Sequence, residues 1–114
     1  MPEICEGVSF DTIAREWRMK WSPDNDKASL VALQKLIDEV KPNIKQIKGL
    51  KQVQRMVCGG CMDIRVIISL DAESFNEWAE SSFGPEEVFL AKAKEIEGVS
   101  QIETQTYTLM PVDL

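Results

Sequence analysis

The chain reads as an α+β domain with elements in the order strand, helix, strand, strand, helix, strand. Three observations predict this. Polar and apolar residues alternate with a period of two from Phe10 to Trp21. An apolar stripe at steps of three and four runs from Leu30 to Ile47. Two strand-like runs flank Cys58-Gly59-Gly60-Cys61, and a second helical stretch and a Thr-rich final run follow.

Residues 1–9 are expected to be a flexible N-terminal arm, and 10–114 a single domain, the size one core supports. In the first strand, Ile13, Arg15, Trp17, Met19 and Trp21 share one face; Thr12, Ala14, Glu16, Arg18 and Lys20 share the other. Ser22-Pro23-Asp24-Asn25-Asp26 is turn chemistry and supplies helix N-cap candidates. Leu30, Leu33, Ile37, Val40, Ile44 and Ile47 then line one side of a helix. Pro42 removes a backbone donor within it and predicts a kink or break near Val40; Gly49 is a C-terminal stop. The second strand is Leu50 to Cys58 and the third Cys61 to Leu70. Asp71 caps a helix that carries Phe75 and Trp78 on one face. Ser81 to Gly84 interrupts it, and Pro85 suits a first helical position, with Glu86 and Glu87 at the positive end of the helix dipole. Val88, Phe89 and Ala93 follow, the helix ends before Gly98, and the last strand is Val99 to Met110. This order gives a ferredoxin-like βαββαβ sandwich, a four-stranded antiparallel sheet with helices on one face.

A two-residue Gly59-Gly60 turn would pair Cys58 with Cys61, Met56 with Asp63 and Gln54 with Arg65. That register puts Val53, Val57, Met62, Ile64, Val66 and Ile68 on one face, with Arg55 among them. Gln52, Gln54, Asp63 and Arg65 go to the other, with Met56, Ile67 and the thiols. The glycines would supply the positive φ angles of such a turn, so the motif has a structural explanation without chemistry.

Composition narrows the function. Hydrophobic residues make up 44% and charged residues 28%, as in ordinary globular chains. No apolar run reaches the roughly 20 residues that span a bilayer, and no secretory signal is legible, so no membrane partner and a cytoplasmic location are expected. The net charge of -6 argues against nucleic acid. Lys41, Lys45, Lys48 and Lys51 form a basic stripe that reads as a solvated helix face. Three cysteines without an export signal do not make a disulfide framework. The chain has no histidine, which removes the commonest general base, metal ligand and axial haem ligand together. No cofactor and no metal are expected.

The stretch from Ile47 to Trp78, with IKGLKQVQRMVCGGCMDIRVIISLDAESFNEW, and the later EIEGVSQIETQTYTLMP resemble the dimeric α/β-barrel superfamily. Its members include antibiotic-biosynthesis-monooxygenase-like and stress-responsive barrel domains, and the ligand domains of leucine-responsive regulators. The resemblance rests on the Gly-apolar exit of the first helix, on Leu70-Asp71-Ala72 and on Gly98-Val99. It implies a homodimer in which two sheets pack through the faces away from the helices. The helix-turn-helix of the regulators is missing, and the histidines of haem-degrading and cyclase members cannot be carried over.

In that superfamily the ligand cleft lies between sheet and helices. Here Trp17, Met19, Trp21, Phe75, Trp78, Phe83 and Phe89 would line it or form the core. Arg55 could clamp an anion at its mouth or carry its stem to a sheet edge. Arg15 also breaks the apolar face. Tyr107 and Glu103 share a face of the last strand and could supply a hydroxyl and a carboxylate. The expected role is a homodimer that binds a small, partly apolar molecule, with Trp17, Arg55, Trp78, Tyr107 and Glu103 as candidate ligand-binding residues. The alternatives are a cofactor-free monooxygenase- or cyclase-like enzyme, and a thiol redox or metal sensor through Cys58 and Cys61.

Overall fold

The alternating run from Thr12 to Lys20 is an inner strand of a four-stranded antiparallel sheet. The structure, a computed structural model, describes residues 1–114. β1 (Glu3–Cys5) and β2 (Val8–Ser9) make a short ribbon, followed by β3 (Thr12–Lys20), α1 (Asp24–Lys45), β4 (Leu50–Cys58), β5 (Asp63–Asp71), α2 (Ala72–Glu80), α3 (Glu86–Lys94) and β6 (Ser100–Leu109). The sheet order is β4-β5-β3-β6, so β4 and β6 are edges. This is the predicted ferredoxin-like α+β architecture.

The core lies between the helices and one sheet face. Trp17 and Met19 of β3 and Ile64, Val66, Ile68 and Leu70 of β5 meet Leu33, Leu36, Ile37, Val40 and Ile44 of α1. Phe75 and Trp78 of α2 and Phe89 and Ala93 of α3 complete it, while Val88 points to solvent. Trp17 stacks on Phe89 at 4.7 Å between ring centroids. Phe75, Trp78 and Phe83 form a second aromatic group at 5.2 to 5.8 Å.

Two expectations are corrected. Pro42 lies inside α1, and the backbone around it stays helical. Buried Ile37, Val40 and Ile44 straddle it, so packing carries the helix through one lost donor. The departures from helical geometry fall at Asn25, Asp26 and Lys27, with φ of 55°, 57° and 62°. The β4–β5 hairpin also closes differently. Cys58 pairs with Asp63, Met56 with Arg65 and Gln54 with Ile67, two residues beyond the predicted register. Gly59 to Met62 form the loop, and its positive φ (57°) falls on Met62, not on either glycine. The cause lies on β3: Lys20 pairs with Asp63, and the Trp21 N–H donates to the Met62 carbonyl at 2.9 Å. These bonds set where β5 can begin.

Gly49 has a conformational role of the kind expected at Gly59 and Gly60. Its φ is 82°, and a Cβ there would lie 2.3 Å from the Ser74 Cβ and Oγ. Its carbonyl accepts the Asp71 N–H at 2.9 Å, which ties the α1 exit to the start of α2. Gly49→Ala should therefore cost about 2–4 kcal/mol of stability. Gly59→Ala and Gly60→Ala, with open space around them, should stay within about 0.5 kcal/mol of the parent. Denaturant midpoints of the three variants check this.

Candidate functional site

The aromatic residues beneath the helices fill their own space. Trp17 is fully buried, and its Nε1 donates to Glu86 Oε1 at 2.9 Å. Trp78 Nε1 donates to the Gly84 carbonyl at 2.9 Å. Arg15 lies over the Phe83 ring at 4.0 Å from its centroid and hydrogen-bonds Glu86, Thr104 and Thr106. A polar group that already has its partner is not free to receive a ligand.

Open space occurs instead between α1 and the edge strand β4. A groove of about 420 Å³ lies there, floored by Ile37, Ile44, Leu50 and Val53. Its rim carries Lys41, Lys45 and Arg55, so apolar surface sits beneath three cations. Arg55 donates to Gln34 Oε1, whose amide donates to Asp38 Oδ1 at 3.1 Å. Lys41 lies 2.6 Å from Asp38 and, with Gln34, holds that carboxyl below the usual range. Arg55 adds its charge to the lowering of Asp38, so of the three rim cations Lys45 is the one without a hydrogen-bond or ion-pair partner in the chain.

The sheet face away from the helices is polar and partly closed. Glu16 is 2% exposed although no helix covers it. Its Oε1 accepts the Tyr107 O–H at 3.1 Å and lies 3.6 Å from Arg65. Glu16 Oε2 and Arg65 Nε are buried without a hydrogen-bond partner in the chain. Beside them Arg18 Nη2 lies 2.5 Å from Glu103, and Lys20 lies 2.6 Å from Asp63. At the hairpin end the Cys58 and Cys61 sulfurs form a disulfide across 5.7 Å between Cα atoms.

The structure thus distributes the candidate residues. Trp17 and Trp78 belong to the core, Arg55 stands on the groove, and Tyr107 and Glu103 share the helix-free face with Glu16 and Arg18. Sequence reasoning placed Glu16 on the face through which two sheets would pack, as part of a polar interior with paired charges, but did not name it among the candidate site residues. It also read Lys41 and Lys45 as a solvated stripe. The available signal was their spacing of four, the same as that of Val40 and Ile44 one position before each.

No family model and no curated protein matches the chain. Several solved structures share its fold. Rv0793 from Mycobacterium tuberculosis superposes with a TM-score of 0.58 at 15% identity over 90% of this chain and 97% of that one. SnoaB, a cofactor-independent oxygenase from Streptomyces nogalater, gives 0.59 at 12% identity over 90% and 96%. The ActVA-Orf6 monooxygenase of Streptomyces coelicolor, solved with nanaomycin D, gives 0.60 at 11% identity over 92% of each. The chain therefore has the ferredoxin-like fold of antibiotic-biosynthesis-monooxygenase-like proteins; at these identities the shared property is the fold.

Tyr107 offers a direct test of the helix-free face. Burial first, then the hydrogen bond and charge of Glu16, push its pKa from 10.0 up to about 12. It is the single tyrosine, so ultraviolet titration reports it alone. A raised folded pKa means that its contribution to stability is complete below pH 10 and is lost as pH rises towards 12. The phenol should titrate near 12 in the folded chain, and Tyr107→Phe should lose less stability than the parent across that window.

Proposed function

We propose that the protein is a homodimer that binds a small, partly apolar anion in the groove between α1 and β4. The observation that carries this is the apolar floor of Ile37, Ile44, Leu50 and Val53 beneath Lys41, Lys45 and Arg55. Such a groove buries an apolar body while its rim receives a carboxylate or phenolate. The ActVA-Orf6 protein, solved with nanaomycin D, supports small-molecule binding by this fold. The dimer reading is supported by Glu16 Oε2, which has only the Arg18 Nη1 contact at 4.0 Å, and by Arg65 Nε; neither has a hydrogen bond, and buried polar groups nearly always do. Half-buried Met56 and Ile67 beside them offer apolar area to a second copy.

A cofactor-free enzyme built on Tyr107 and Glu103 has weaker support. A phenol pushed to about 12 is poorly matched to proton transfer near neutrality. Glu103 is paired with Arg18. Both lie on the sheet face opposite Arg55, so one small ligand cannot touch all three.

Two measurements follow. The fluorescent anion 8-anilinonaphthalene-1-sulfonate should bind saturably, one per chain, and raise the melting temperature. Charge reversal at Arg55 and Lys45 together should weaken it about tenfold or more, the scale of a lost charge-assisted contact; unchanged affinity would remove the groove. By sedimentation the parent should be a dimer, and Ile67→Lys, harmless on a solvated face, should give a folded monomer. A monomeric parent would remove the dimer reading.

A further inference from the structure

The hairpin thiols stand apart from the groove and the aromatic core. We propose that Cys58 and Cys61 form a thiol–disulfide exchange site whose substrate is a low-molecular-weight disulfide. Their pairing does not depend on the bond between them. The loop is held by Trp21 N–H to the Met62 carbonyl at 2.9 Å, Lys20 Nζ to the Cys61 carbonyl at 2.9 Å and Trp21 Nε1 to the Asp63 carbonyl at 3.2 Å. The ladder pair Cys58–Asp63 closes the same end. None of these contacts uses a sulfur, so the two cysteines stay neighbours in the dithiol form. A Cα separation of 5.7 Å suits both states.

The surroundings give the two sulfurs different roles. Cys58 Sγ accepts the Cys61 N–H at 3.3 Å, a contact that favours a thiolate. Cys61 Sγ lies 3.5 Å from Asp63 Oδ2, so in the dithiol it can donate to a carboxylate whose charge opposes a second negative charge on that sulfur. Lys20, 2.6 Å from the other oxygen, keeps Asp63 ionised. Access alone would favour the exposed Cys61 over the half-buried Cys58, and the contacts to the Cys61 N–H and to Asp63 reverse that order. Cys58 is therefore the attacking thiolate and Cys61 the resolving thiol.

The Cys58 thiolate attacks one sulfur of the substrate RSSR. That S–S bond breaks, RS⁻ leaves, and a Cys58–S–S–R mixed disulfide forms. Cys61 loses its proton past Asp63 to water and attacks Cys58 Sγ. A second RS⁻ leaves as the Cys58–Cys61 bond closes. Two electrons pass from the dithiol to the substrate, whose products are two RSH, and excess RSH drives the reverse.

Oxidised glutathione and intact-mass measurement test this, with Cys5→Ser in every variant because Cys5 is free and exposed. After reduction and desalting, the parent pair should lose the mass of two hydrogens and retain no adduct. Cys61→Ser should trap one glutathionyl group. Cys58→Ser should react at least about tenfold more slowly, and adding Asp63→Asn should recover part of that rate. Retained glutathionyl groups on the parent, no reaction, or equal rates for the two single variants would overturn the proposal. Tryptophan fluorescence confirms that each variant is folded.

Discussion

A carboxylate inside a domain is costly unless its oxygens find donors, and Glu86 meets that condition through β3. Its Oε1 accepts Arg15 Nε at 2.7 Å and Trp17 Nε1 at 2.9 Å, while Oε2 accepts Arg15 Nη2 at 3.2 Å. Arg15 passes the link on to Thr104 and Thr106 of β6 at 3.0 and 2.8 Å. One side chain thus fixes α3 to both strands beneath it. Removing one partner of a buried pair of this kind typically costs about 3–5 kcal/mol. The same cluster seats Phe83 under the Arg15 guanidinium and brings Phe89 onto Trp17. The α2–α3 side of the sheet is closed as a result, and open space is left at the far edge, where β4 has no neighbouring strand.

That geometry gives β4 a different task on each face and at its end. Arg55 and Val53 face α1 and the groove. Gln54 and Met56 face the polar side with Ile67 and Arg65, opposite which they pair. Cys58 ends the strand at the loop. Alternation makes this separation obligatory, because neighbouring residues on a strand point to opposite faces. A ligand in the groove, a second copy against the sheet and a thiol exchange at the tip would therefore meet different residues, apart from Gln54, which also borders the groove.

Much of the fold was legible because it rests on periodicity. The alternation of β3, the apolar stripe of α1 and the Asp71 boundary all correspond to structure. The hairpin shows where periodicity stops being informative. Its register is shifted by two residues, and a shift of two leaves every side chain on its own face. Sorting by polarity could therefore assign the faces of Val53, Arg55, Arg65 and Ile67 but could not distinguish the two closures. The deciding contacts come from Lys20 and Trp21, distant in sequence. The same limit hid the partner of Arg15. Glu86 is 71 residues away, and as a first-turn acidic residue it already had a local explanation in the helix dipole.

The candidate site was less legible than the fold, for a related reason. A groove is a gap between two elements, and its lining is a joint property of α1 and β4 that neither segment encodes alone. Lys41 and Lys45, taken with their own helix, are solvated cations; opposite Arg55 they become the rim of an apolar cavity. Glu16, taken with its own strand, is a surface carboxylate; covered by Tyr107 and Arg65, it is a buried one with an unmet oxygen. A shared architecture does not carry a shared function, because function lives in the side chains that a scaffold's gaps bring together. Function on this scaffold is therefore to be sought in the few charges that its gaps bring together, here Arg55 with two lysines on one face and Glu16 with Arg65 on the other.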